Sequence, residues 1–158
     1  MQKHSIFVDT SLFVRSLIAG DKGLENLLYR YLEGELILFS GLGVLEETYY
    51  KLISLVTQAL TGKTGAHAVK REWKRNEDIS RNVRTRFDIL LGLIDIGAIL
   101  VVPTTMPIFK RSYEISREYG LFPNDALIAA TCESYEIEKI ATYDKDFEKV
   151  DFLEIFLP

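Results

Sequence analysis

The sequence predicts a parallel α/β sheet with helices on both faces, on four observations. Short apolar runs rich in β-branched and aromatic residues recur along the chain: Ser5–Asp9, Leu36–Phe39, Ala98–Val102, Lys139–Thr142 and Phe152–Leu157. Stretches with helical spacing separate them, and parallel strands need such long crossovers. The three most apolar runs show no strict alternation, as expected of strands covered on both sides. Finally, acids stand at or just past the ends of two runs, Asp9 after the first and Asp144 after the fourth. In open parallel sheets ligands bind at the carboxyl ends of the strands.

Taken in order, SIFVD at 5–9 is a buried strand ending at Asp9-Thr10-Ser11. Leu12–Ile18 is an apolar helix that stops near Gly20. Asp21 reads as the N-cap of a helix over Lys22–Glu33, with Leu24, Leu27, Leu28, Tyr31 and Leu32 at helical spacing. After the strand LILF, Ser40–Gly43 reads as a turn. Val44, Leu45, Thr48, Tyr49, Leu52, Ile53 and Val56 then mark a long helix that breaks in the glycine-containing stretch 57–65. Ala66–Gly97 is one long helix or two joined near Asn76–Ser80. A third strand closes at Pro103. Met106–Tyr119 is a helix with Pro107 in its first turn, where the missing N–H costs nothing. An alanine-rich helix follows over Asp125–Tyr135, then KIAT and FLEIFL as strands four and five.

The chain has 158 residues, 47% of them hydrophobic and 27% charged, enough for one domain over 1–158 with a substantial core. No apolar run reaches the ~18 residues of a membrane span, and MQKHSIFVD enters a strand too soon for a signal peptide. Cys132 is the single cysteine, which excludes an intramolecular disulfide and a zinc-ligand cluster and points to a cytoplasmic protein. Cys132 itself reads as core filler on an apolar helix.

Net charge is −4, yet residues 57–86 carry eight basic side chains against three acids, leaving eleven basic and twenty acidic residues elsewhere. A basic helical region on an acidic body suits a phosphate backbone, held without regard to sequence. Lys70, Arg71, Lys74 and Arg75 are the candidate contacts, and Trp73 among them could stack on an unpaired base. The plain alternatives are a solvated face for the cations and ordinary packing for Trp73.

Asp9, Asp125, Asp144, Asp146 and Glu47 or Glu46 sit where a shared rim would draw its residues. Carboxylates converging without a cation repel one another, and a divalent ion relieves this. An all-oxygen donor set selects Mg2+ or Mn2+ over zinc. Such a site suits phosphodiester hydrolysis and needs no side-chain nucleophile. Asp9, Asp125 and Asp144 are the expected metal-binding acids, Glu47 completes the catalytic set, and Asp146 serves as an auxiliary metal acid. Thr10, Ser11 and Thr142 would orient carboxylates or waters. Singly, each acid is more often a turn residue or a helix cap.

Their joint pattern is more specific. FVDTSLF around Asp9, VLEETYYKL at 44–52, and DALIAA followed by TYDKDF at 142–147 resemble the successive motifs of PIN-domain nucleases. That family includes the toxins of VapBC-type toxin–antitoxin pairs. The resemblance covers nearly the whole chain, apart from the enlarged basic region at 57–86. It implies a three-layer α/β/α sandwich with a mostly parallel five-stranded sheet and a Mg2+- or Mn2+-dependent site acting on single-stranded RNA. It also implies an antitoxin partner for a toxin and a homodimer as in many members. Asp9 falls at the first catalytic position and Asp125 at the third, with Thr142, Asp144 and Asp146 in the closing cluster. Motif spacing favours Glu47 and leaves Glu46 open. The two side chains diverge by about 100° on a helix, so only one can face the rim.

Two other readings are weaker. A haloacid-dehalogenase-like phosphatase would want an acid where Ser11 stands, and a receiver-type domain would not need Asp144 and Asp146 together. A PIN-like domain that binds RNA or protein without cutting, and a housekeeping RNA-processing nuclease without an antitoxin, both remain compatible with the sequence.

Overall fold

The computed structural model describes residues 3–158. Met1 and Gln2, the first positions of the predicted 1–158 domain and of the N-terminal stretch, lie outside the described residues. The elements run β1 (His4–Val8), α1 (Thr10–Ala19), α2 (Gly23–Leu32), β2 (Leu36–Gly41), α3 (Leu42–Thr61), α4 (Ala66–Arg75) and α5 (Glu77–Asp95). They continue with β3 (Ile99–Val102), α6 (Met106–Tyr119), α7 (Pro123–Ser134), β4 (Lys139–Ala141), a short 3-10 helix (Lys145–Lys149) and β5 (Glu154–Ile155).

The five strands form one sheet in the order β3-β2-β1-β4-β5, every pair parallel. The predicted sheet is therefore present and wholly parallel. Its layering follows from the handedness of crossovers. Moving from β1 through β2 to β3 puts α1–α5 on one face, and the return from β3 to β4 carries α6 and α7 to the other. The strand order reverses between β1 and β4, whose register pairs Ile6 with Lys139 and Val8 with Ala141. The Asp9 N–H continues that ladder to the Ala141 carbonyl at 3.1 Å. Asp9 and Thr142 thus leave the sheet side by side, at the point where open α/β sheets form clefts.

The main core gathers Ile6, Phe7, Val8, Leu38, Ile140 and Phe147, all at most 1% exposed, with the inner faces of the helices. A second apolar cluster lies within the helical layer, where Leu52 and Val56 of α3 meet Ile79 and Val83 of α5. Trp73 of α4 packs against it from outside. Ser40 ties the strand ends together, donating to the Val8 carbonyl at 3.1 Å.

Several boundaries differ from expectation. Ser40–Gly43 is no turn: β2 runs to Gly41 and α3 begins at Leu42, so strand passes to helix without a loop. Gly41 fills the extended N-cap with no side chain to contribute. The long stretch after Ala66 is two helices. Asn76 divides them, and its Oδ1 accepts the Asp78 N–H at 3.0 Å to cap α5. Lys22 rather than Asp21 is the cap position of α2, although Asp21 Oδ1 still accepts the Gly23 N–H at 2.8 Å. The fifth strand shrinks to Glu154–Ile155, since β4 offers it only two paired positions.

Candidate active site

Asp9 is the N-cap of α1 and is only 5% exposed. Three donors converge on its Oδ2: the Ser11 N–H at 3.3 Å, the Ser11 hydroxyl at 2.9 Å and the Thr142 hydroxyl at 2.8 Å. Its Oδ1 receives none among the described residues. Thr142 in turn accepts the Asp144 N–H at 2.9 Å. Ser11 accepts the Tyr143 N–H at 3.0 Å. Two hydroxyls, Thr142 buried and Ser11 half-buried, therefore hold the end of β4 against the end of β1.

Past Thr142 the chain turns into the 3-10 helix. Asp144 caps it, its Oδ1 accepting the Asp146 N–H at 2.8 Å. Phe147, fully buried, anchors this turn in the core. On the opposite side, Pro123 opens α7 and delivers Asp125 in its first turn. The carboxylates of Asp125, Asp144 and Asp146 each place an oxygen within 4.8 Å of the others, all three half-buried. Asp146, expected as auxiliary, is thus a member of the tight group, whereas Asp9 stands beside it, joined through Thr142.

Glu47 comes from the second turn of α3. Its Oε2 accepts from the Thr10 hydroxyl at 3.4 Å and from the Asn124 amide, and its Oε1 pairs with Lys51 at 2.6 Å. Glu46, one residue earlier, is exposed and makes none of these contacts. Thr10 also reaches weakly toward the Val44 carbonyl at 3.5 Å.

The acids repel one another across this space. The Asp125 carboxyl is pushed up to about 6, first by burial, then by the charges of Asp144, Asp9, Glu47 and Asp146. The charges of four other acids thus act on this one carboxyl. Two lysines offset part of the charge, Lys51 at Glu47 and Lys149 at Asp146, the latter at 2.8 Å. The donor chemistry is that of a hard divalent cation: carboxylate oxygens only, close together and mutually repelling. Cys132 is buried in α7 and burial pushes its thiol up, consistent with inert packing.

The basic residues of 57–86 lie apart from this rim. Lys70, Arg71, Lys74 and Arg75 line an open groove on α4 with His67. Trp73 is half-buried, edge-on to Tyr49 with ring centroids 6.0 Å apart.

Lys51, Asn124 and Tyr143 belong to the site although the residue patterns did not single them out. Lys51 carried a legible signal, since Glu-to-Lys at i,i+4 is a favoured helical pair that Glu46 lacks. Asn124 and Tyr143 carried none, because their roles depend on neighbours distant in sequence.

The PIN domain family model matches residues 6–153. A curated relative, Ribonuclease VapC6 of Methanocaldococcus jannaschii, is 33% identical over 155 residues, covering 98% of each chain. Ribonuclease VapC2 of the same organism is 32% identical over 157 residues, covering 98% of this chain and 95% of the relative. Among solved structures, Mycobacterium tuberculosis VapC20, described as a sarcin-ricin loop cleaving toxin, superposes with a TM-score of 0.61 at 18% identity, covering 97% of this chain and 99% of its own. VapBC2 of Rickettsia felis, solved with a DNA fragment from its promoter, gives 0.64 at 15% identity, with 96% and 97% covered. These last two share the fold. With a family model spanning nearly its whole length and two relatives above 30% identity, the chain belongs to the PIN domain family.

Proposed function

We propose that this protein is a Mg2+- or Mn2+-dependent endoribonuclease that hydrolyses phosphodiester bonds of single-stranded RNA. The observation that carries the reading is the closure of Asp125, Asp144 and Asp146 to within 4.8 Å, with Asp9 and Glu47 on the same rim. The curated relatives named ribonucleases support it.

In this reading Asp125, Asp144 and Asp146 hold the ion, with Asp9 Oδ1 facing the same space. The ion, when bound, supplies activation of water and stabilisation of the leaving oxygen. Ser11 and Thr142 fix Asp9 by hydrogen bonds to Oδ2, so its other oxygen keeps one direction. Glu47 Oε2, oriented by Thr10 and Asn124, is the acceptor for a proton from the attacking water. Lys51 and Lys149 provide ammonium groups beside the rim for the phosphate.

The same reading extends to partners. The VapBC2 structure supports an antitoxin protein as partner, and the groove of about 320 Å3 lined by Leu17, Leu24, Leu28, Ile89 and Leu93 suits an amphipathic segment of such a partner. Co-expression with the product of a neighbouring small open reading frame should suppress cleavage, and a full-rate enzyme in that presence would leave a nuclease without an antitoxin. No helix among the described residues is long and apolar enough to cross a membrane.

The direct test is cleavage of labelled single-stranded RNA with EDTA, Mg2+ or Mn2+. Wild type should cut only with metal, and Asp9→Asn should lose on the order of 10²-fold or more in rate. An Asp9→Asn protein that cuts as well as wild type would sink the assignment.

A further inference from the structure

Between α3, α4 and α5 lies a hollow of about 340 Å3, lined by Tyr49, Trp73, Ser80, Arg84, Phe87, Asp88 and Leu91. Its size is at the lower end of small-molecule sites. Three aromatic rings wall it. Tyr49 meets Trp73 edge-on at 6.0 Å and Phe87 at 4.9 Å with the planes tilted by 39°. Apolar side chains alone would favour closing such a hollow, but polar groups stand at its mouth. The ion pairs of this region are Lys63–Glu72 and Arg81–Asp78, and Arg84 belongs to neither. Arg84 and Asp88 are both exposed, and Ser80, half-buried on α5, donates to the Glu77 carbonyl at 3.2 Å, which leaves its oxygen to accept.

We propose that this hollow is a subsite for one unpaired nucleobase of the RNA strand, with Arg84 holding the adjoining phosphate. Stacking needs aromatic faces, which Trp73 and Phe87 supply, and it accepts any base. The base edge needs hydrogen-bonding partners, which Ser80 and Asp88 offer. The phosphates that flank a base need cations: Arg84 lines the hollow itself, while α4 carries Lys70, Arg71, Lys74 and Arg75 on a separate open groove. A guanidinium outside every ion pair of this region, standing beside aromatic rings, suits RNA better than a protein side chain as the occupant. Tyr49 stands two residues after Glu47 on α3, nearly opposite it around a helix about 10–12 Å across. The acid rim and the hollow therefore lie on opposite sides of α3, about one helix diameter apart. The subsite rests on the ribonuclease reading for its ligand, but it is a binding claim that needs no metal and no turnover.

Trp73 is the chain's only tryptophan, so its emission reports on this hollow alone. The experiment titrates full-length wild-type protein in EDTA with single-stranded oligo(C) RNA, following Trp73 fluorescence and, in parallel, anisotropy of end-labelled RNA. Saturable quenching is expected at the same midpoint as the anisotropy change. Arg84→Glu, at an exposed helix position where folding is checked by circular dichroism, should weaken both about tenfold or more. Trp73→Leu should weaken the anisotropy-detected affinity by roughly five- to hundred-fold. A duplex RNA of the same length should leave the emission unchanged. Binding by anisotropy without quenching, or equal quenching by duplex, overturns the proposal. So does emission that responds to a co-expressed partner protein and not to RNA. Metal-dependent cleavage with silent Trp73 would remove the subsite and keep the nuclease; quenching without cleavage under any metal would do the reverse.

Discussion

Asp125 faces four other acids from the first turn of α7, and its carboxyl keeps a proton to about pH 6, against 3.8 for an unperturbed aspartate. The sign of the consequence follows from linkage. Between those two values the folded protein binds more protons than the unfolded chain, so this group's contribution to stability falls as pH rises through that window and stays lost above it. The shift is trimmed by solvent because the residue is half-buried, leaving about 1 kcal/mol. Asp125→Asn should therefore leave the metal-free melting temperature at pH 7.5 equal to wild type or a few degrees higher. Excess Mn2+ should raise the wild-type melting temperature more above pH 6 than below it, since the ion binds the ionised carboxylates, and this increment should vanish in Asp125→Asn. Differential scanning calorimetry with and without Mn2+ reads both effects, and an equal metal increment in the variant would take Asp125 out of the ion's ligand set. At this scale the sequence was legible where chemistry and spacing coincide. Asp9, Asp125 and Asp144 stand at strand or helix ends that the apolar pattern announces. Asp146 was harder to place, because its entry into the tight group depends on a 3-10 turn pinned by Phe147. Glu47 over Glu46 was favoured by motif spacing, but Glu46 stayed open because side-chain direction is seen only in the packed helix, where Glu46 is exposed.

The loop that carries Asp144 and Asp146 is braced by an element far from the acids. Tyr143 donates to Asp21 Oδ1 at 2.7 Å, and Arg15 lies 3.9 Å over its ring. The Tyr143 hydroxyl holds the Asp21 carboxyl below its usual range. Gly23 makes room for the pair: a Cβ there would stand 2.9 Å from Asp21 Oδ1 and 3.0 Å from the Tyr143 hydroxyl. Tyr143→Phe should cost about 1–2 kcal/mol in urea unfolding at neutral pH. Because the Asp21 shift is downward, this stabilisation exists above the unfolded pKa and is lost as pH falls through the folded one, so the two proteins should converge in stability below pH ~4. A difference that persists undiminished at low pH would mean the ring, not the hydroxyl, supplies the brace. Helix and strand positions were legible from periodicity, which left open whether the helix after Ala66 divides near Asn76–Ser80; the Asn76 cap decides it. The direct passage from β2 into α3 was not legible, because Ser40-Gly41-Leu42-Gly43 has the composition of a turn while Ser40 and Gly41 are buried in the sheet.

For the whole molecule, strand–helix alternation suffices to derive a parallel sheet with helices on both faces, but the strand order that puts the cleft between β1 and β4 comes only from the structure. What alternation cannot supply is how the outer surface is used. Met106, Phe109 and Tyr113 recur at helical spacing along α6 and are 64%, 56% and 65% exposed, while Ile108, Ser112 and Ile115 fill its inner face. The helix is therefore apolar on two sides, and the outer one meets water. Leu100 on the edge strand β3 is also open. Burying such side chains stabilises by roughly 25 cal/mol per Å2 of apolar area, and a stable pairing needs about 1,000 Å2 or more in total. A two-fold arrangement offers this stripe to its own copy, which matches large rings with large rings and leaves no open end. We propose a homodimer through α6. Light scattering after size-exclusion chromatography should give twice the chain's mass for wild type. Phe109→Glu places a charge in the middle of the stripe at an exposed position, so it should yield a folded monomer with an unchanged circular dichroism spectrum. A wild-type monomer at micromolar concentration, or a Phe109→Glu dimer, would remove α6 as the interface.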